Sequence, residues 1–167
     1  ILLFFACIFL QHATNAQDAT PFFASNPALT PDGQTLIYSY DGDLWKAAIT
    51  GGTSTRITSM QGYSTNPKVS PDGKWLAFSN SQFGNNDVYV MPLQGGDIRR
   101  LTFHSANDVV DSWSWDNQTI YFTSNRYSRM SEYKISKDGG TPQRVFSDNM
   151  FDYTHNAFEN PMTGEIF

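Results

Sequence analysis

Apolar residues alternate along this chain rather than recurring every third or fourth position. In Leu36-Ile37-Tyr38-Ser39-Tyr40, the residues Leu36, Tyr38 and Tyr40 fall on one side and Ile37 and Ser39 on the other. Trp75, Ala77 and Ser79 stand against Leu76, Phe78 and Asn80 in the same way. A period of two sends successive side chains to opposite faces of a strand. Both faces are fairly apolar, as in a sheet sandwiched between two neighbours. No amphipathic helix can be drawn, because Pro and Gly punctuate the chain too often for a long one. The pattern predicts an all-β chain of short strands.

The strands recur in sets. Three segments align, Asn26–Thr58, Asn66–Thr102 and Asp111–Phe146, and a fourth begins near Asn156 and runs to Phe167. Their starts are roughly 40 to 45 residues apart, the period of a four-stranded propeller blade. Each set opens on a short strand such as Pro67-Lys68-Val69-Ser70 and reverses at Ser70-Pro71-Asp72-Gly73, matched by Thr30-Pro31-Asp32-Gly33. Pro presets the first corner, Asp suits the second, and Gly accepts the positive φ that closes the turn. The third set has Ser114-Trp115-Asp116-Asn117 instead, where Asn can take the left-handed position. A third strand follows, Asp43-Leu44-Trp45-Lys46, Asp87-Val88-Tyr89-Val90-Met91 or Ser131-Glu132-Tyr133-Lys134-Ile135. It ends at a Gly pair (Gly51-Gly52, Gly95-Gly96, Gly139-Gly140), and a short outer strand closes the set at Arg56-Ile57-Thr58, Arg100-Leu101-Thr102 or Arg144-Val145-Phe146.

The expected fold is a partial β-propeller of four-stranded antiparallel blades, three complete and a fourth begun. Its blades are expected at about 26–58, 66–102, 111–146 and, in part, 156–167. A blade cannot bury both faces alone, and rings take about four to eight blades. The repeats therefore imply a ring that continues past Phe167.

Ile1–Leu10 is an unbroken apolar run. It is shorter than the roughly 20 residues that span a bilayer, and its length fits the core of a secretory signal. In Thr14-Asn15-Ala16, small residues stand three and one before a plausible cut ahead of Gln17. The expected organisation is a signal-peptide remnant at 1–16, a lead-in at 17–25 and the propeller at 26–167. That organisation implies export to the periplasm or the extracellular space. Cys7, the single cysteine, lies in the signal run, so thiol and disulfide chemistry are not expected in the mature part.

With 40% hydrophobic and 16% charged residues the chain can build a packed core. Its formal net charge is −5 and no Lys/Arg cluster is present, so a nucleic-acid partner is not expected. Candidate chemistry is sparse. Gly62-Tyr63-Ser64-Thr65-Asn66 resembles a nucleophile elbow but lacks the second Gly. With His12 in the signal, only His104 and His155 remain as bases, both in inter-blade connections. Two distant histidines make no zinc site. Asp41-Gly42-Asp43 is too short for a calcium loop and reads as a hairpin turn. Asn117-Gln118-Thr119 is a formal glycosylation sequon in a tight turn. Trp45, Trp75, Trp113 and Trp115 occupy repeat positions that fit blade packing. Trp113 and Trp115, two apart, are expected on one face of an inner strand lining the channel. No catalytic, cofactor-binding or metal-binding residue is assigned, and no cofactor is expected.

Asn66–Thr102 resembles the TolB-type propeller repeat almost throughout. Tyr40-Asp41-Gly42-Asp43-Leu44-Trp45, Leu101-Thr102-Phe103-His104 and Phe122-Thr123-Ser124-Asn125-Arg126 are similar to the N-terminal propeller of tricorn-like serine proteases. In that family a second propeller, a PDZ domain and the catalytic domains follow. The resemblance implies a non-catalytic region that gates or guides peptides and scaffolds the assembly. Its implied partners are a peptide or protein substrate, the remaining domains of the full-length chain, and further copies in a homo-oligomer. The alternatives are a TolB-like periplasmic protein-binding propeller without enzymatic activity, and the propeller of a prolyl oligopeptidase-type hydrolase.

Overall fold

The computed structural model of the protein describes residues 23–127, 129–146, 154 and 156–167. The apolar run with Cys7, the expected cut before Gln17, His12 and His155 lie outside the described residues. Among the described residues there are strands and no helix.

Three antiparallel sheets form in chain order. Sheet one is β1 (Ser25–Leu29), β2 (Thr35–Tyr40), β3 (Asp43–Ala48) and β4 (Thr55–Arg56). Sheet two is β5 (Ser64–Val69), β6 (Trp75–Asn80), β7 (Asp87–Pro92) and β8 (Arg99–Arg100). Sheet three is β9 (Asp108–Trp113), β10 (Thr119–Ser124), β11 (Ser131–Ser136) and β12 (Gln143–Arg144). In each sheet every strand pairs with the next in sequence. The first strands of successive sheets lie side by side, β1 by β5 and β5 by β9. The sheets therefore fan out from a common inner edge, as propeller blades do.

Local chemistry explains the turns. Gly33, Gly73 and Asn117 all take positive φ, at 68°, 70° and 64°. The Ser70 hydroxyl donates to the Asp72 carboxylate at 2.6 Å and accepts from Trp75 N at 2.9 Å. Thr30 with Asp32 and Thr35, and Ser114 with Asp116 and Thr119, repeat this wiring. Asn thus replaces Gly in sheet three without altering the turn. Between β2 and β3, Asp41 and Gly42 both have positive φ (50° and 83°), as a two-residue hairpin that matches strand twist requires.

Two cores fill the seams. Between sheets one and two, Ile37 and Leu44 meet Leu76, Phe78, Tyr89 and Met91. Between sheets two and three, Ala77, Val88 and Val90 meet Val110, Ile120, Phe122 and Ile135. Sheet two is therefore covered on both faces. Phe78 is fully buried, stacks on Tyr89 at 5.7 Å and stabilises by roughly 1.5–3 kcal/mol. The opposite face of sheet one, with Leu36, Tyr38 and Trp45, is only half-buried.

Residues 156–167 form a hairpin against sheet three. Glu159 bridges Ile166, and Phe158 and Phe167 exchange backbone hydrogen bonds of 3.1 and 3.0 Å. The Ser112 hydroxyl donates to Ala157 O at 2.6 Å, and Trp115 Nε1 donates to Glu159 O at 2.7 Å. The hairpin is thereby tied to sheet three.

Candidate functional site

The strand order brings polar groups together at three places. The first is a cleft of about 480 Å³ between sheets one and two, on the side of the β1–β2 turns. Thr35, Ile37, Lys46 and Thr55 of sheet one line it, opposite Asp72 and Leu93 of sheet two. Asp32, also at this cleft, is held below the usual carboxylate range by hydrogen bonds from the Thr30 hydroxyl and Gln34 N. The Ser70 hydroxyl does the same first for Asp72, and Lys74 adds to it. Both carboxylates are ionised near neutral pH.

The second place is a buried acid pair on sheet three. Glu132 on β11 is fully buried at the position that Leu44 and Val88 hold in the other sheets. The Thr123 hydroxyl donates to Asp111 and lies 3.4 Å from Glu132 Oε2. Burial, and then the Asp111 charge, push the Glu132 carboxyl up to about 8. Burial raises Asp111 as well, against hydrogen bonds from Thr123 and Glu132. At neutral pH the pair holds a proton. A protonated carboxyl beside a carboxylate is an acid–base layout, but the zero exposure of Glu132 denies substrate access. Its role is to join β9 and β11 beneath the 156–167 hairpin. It was missed in the sequence, although the repeat alignment places an acid where Leu44 and Val88 stand.

The third place is the far edge of sheet two. Arg100 pairs with the fully buried Asp87 at 2.7 Å and lies over the rings of Phe83 and Phe103 at 4.2 and 4.7 Å. Burial raises Asp87 and the Arg100 charge opposes it. The nearby Arg126 pairs with fully buried Asp108 at 2.8 Å.

The residues singled out in the sequence sit as follows. Ser64 is buried and accepts from Asn80 Nδ2 at 2.9 Å, and among the described residues no histidine is bonded to it. His104 is in a loop, where its Nδ1 accepts from Ala106 N at 3.0 Å. Asn117 Oδ1 accepts from Asp72 N at 2.8 Å, so its side chain staples turn to turn. The two tryptophans do not share a strand face. Trp113 is buried and donates to Lys68 O on β5 at 2.8 Å. Trp115 sits in the turn beyond β9 and bonds Glu159 on the other side. Alternation ends with the strand at Trp113, so a spacing of two across the turn does not preserve the face.

The family model of the tricorn protease N-terminal beta propeller domain matches residues 21–163. The chain belongs to this family. It is 30% identical over 105 residues to tricorn protease homolog 1 of Streptomyces coelicolor, covering 62% of this chain and 10% of that protein. It is 33% identical over 144 residues to the Tol-Pal system protein TolB of Francisella tularensis, covering 80% of this chain and 32% of that protein. TolB from Acinetobacter baumannii has the same fold, with a TM-score of 0.70 at 24% identity over 86% of this chain and 36% of that one. The chain thus spans about a third or less of TolB and of the tricorn homologue. The tricorn propeller family accounts for the arrangement seen here, in which four-stranded blades share an inner edge.

Proposed function

We propose that this chain is the non-catalytic propeller portion of an exported tricorn-like serine peptidase, where it guides or gates peptide substrates and scaffolds the assembly. The match of the tricorn N-terminal propeller model over residues 21–163 carries this reading. The fold supports it physically. Blades stacked around an inner edge leave that edge and the inter-blade clefts as the surfaces a passing chain can touch, while Ser64 and Glu132 are buried away from it. Export rests on the apolar run Ile1–Leu10.

The test is the reading frame around this segment and the activity of its product. A downstream PDZ and serine-peptidase domain is expected. Removal of residues 23–167 from that full-length chain should impair cleavage of long peptides more than hydrolysis of a short chromogenic one. A frame that ends after a few more blades would overturn the reading in favour of a TolB-like protein-binding propeller. The 33% identity to TolB of Francisella tularensis supports that second reading.

A further inference from the structure

The three sheets are copies of one unit, so equivalent positions can be compared directly. Thr35 pairs with Ala48, Trp75 with Pro92 and Thr119 with Ser136 at the same place in each sheet. Likewise Lys46 pairs with Thr55 where Val90 pairs with Arg99. Thr35 therefore corresponds to Trp75, Lys46 to Val90 and Thr55 to Arg99.

In the seam between sheets two and three this chain fills the position itself. Trp75 packs against the core there. The Arg99 guanidinium lies 6.0 Å and the Lys137 ammonium 5.6 Å from its ring. Arg99 then reaches across to Lys137 O at 3.0 Å and closes the seam from outside. In the seam between sheets one and two the indole is replaced by Thr35 and the closing guanidinium by Thr55. What remains is the open cleft of about 480 Å³. That volume lies within the roughly 300–1,000 Å³ range of ligand sites. Its walls keep the needed chemistry, with Pro31, Ala48 and the edge of Leu93 as apolar surface and Lys46 as a cation that can face an aromatic ring.

We propose that the cleft between sheets one and two binds a large aromatic side chain, an indole foremost, presented by a peptide, in the place that Trp75 fills in the next seam. This rests on the reading that peptides reach the propeller, and it names the side chain this part of the propeller selects. The ionised Asp32 and Asp72 at the cleft disfavour an acidic residue beside the aromatic one.

The experiment uses the full chain and two fluorescein-labelled Ala/Ser peptides, one with a single central Trp and one with Ala in its place. Fluorescence polarisation should show the Trp peptide binding about tenfold tighter. Thr35→Trp, which supplies the missing indole, and Thr55→Arg, which closes the mouth, should each reduce it to the affinity of the Ala peptide. Thr119→Trp in sheet three should leave the preference intact. Should Thr35→Trp misfold, shown by its melting profile, Thr55→Arg carries the test. Equal binding of both peptides, or a preference that survives both substitutions, overturns the cleft assignment and leaves the peptide-guiding reading standing. Binding of neither peptide overturns both.

Discussion

Sheets one and two have the same strand order and the same first turn, yet they differ in how their polar groups are held. In sheet two, Arg100 meets an Asp87 that is fully buried, and Phe83 and Phe103 flank the guanidinium. In sheet one the equivalent pair, Arg56 and Asp43, is 3.6 Å apart, and the Arg56 side chain is 53% exposed. Thr58 and Thr102 both cap the start of the third strand, donating to Asp43 at 2.8 Å and to Asp87 at 3.4 Å. The motif is repeated but its energetic weight is not. A charge pair matters to stability in proportion to how completely its neighbours exclude water.

The widest separation between the sheets should come from cutting these pairs. Arg100→Ala leaves the buried Asp87 without its counter-charge and should destabilise by about 3 to 5 kcal/mol. Arg56→Ala should stay within about 1 kcal/mol. Urea melts of the two variants measure this directly, and equal losses would show that burial does not separate the two pairs.

The turns should erase the difference. Gly73→Val forces a β-branched residue to a φ of 70° and should cost roughly 1–3 kcal/mol. Gly33→Val at a φ of 68° should cost about as much in sheet one. A Cβ at Gly33 would meet nothing and one at Gly73 only Pro31 at 3.6 Å, so backbone strain rather than crowding sets the cost. An unchanged melting midpoint in both variants would show that the strain is relieved elsewhere.

A pH-dependent effect contrasts sheet three with sheet two, at the position where Glu132 takes the place of Val88. The folded-state value of Glu132, about 8, lies above its ordinary 4.5. The native chain therefore binds more protons than the unfolded chain between these values, and stability falls as pH rises through that window. Glu132→Gln mimics the protonated acid and should flatten the stability-against-pH curve between about pH 5 and 8. A slope that survives the substitution would assign it to another group.

Much of the fold was legible because its determinants are local. Thr30-Pro31-Asp32-Gly33 and Ser70-Pro71-Asp72-Gly73 close their own turns with their own hydroxyls and carboxylates, whatever surrounds them. Asn117 could be read as a left-handed substitute for Gly for the same reason. Trp113 and Trp115 resisted reading because their partners, Lys68 and Glu159, lie some 45 residues away on different blades. Glu132 was visible only as an irregularity in the repeat. That it shares a proton with Asp111 depends on β9 and β11 flanking β10 in one sheet.

The cleft shows where local information stops. Alternation, turn chemistry and a repeating period need only neighbouring residues, and from them follow the strands and the four-stranded blades. Whether a seam is sealed depends on two blades meeting face to face. Thr35 and Trp75 occupy identical local settings, and nothing near either of them in the chain says that one borders an open cleft and the other fills its own. That outcome is set by packing across the seam, where the volume and charge of side chains from different repeats must add up to a closed interface.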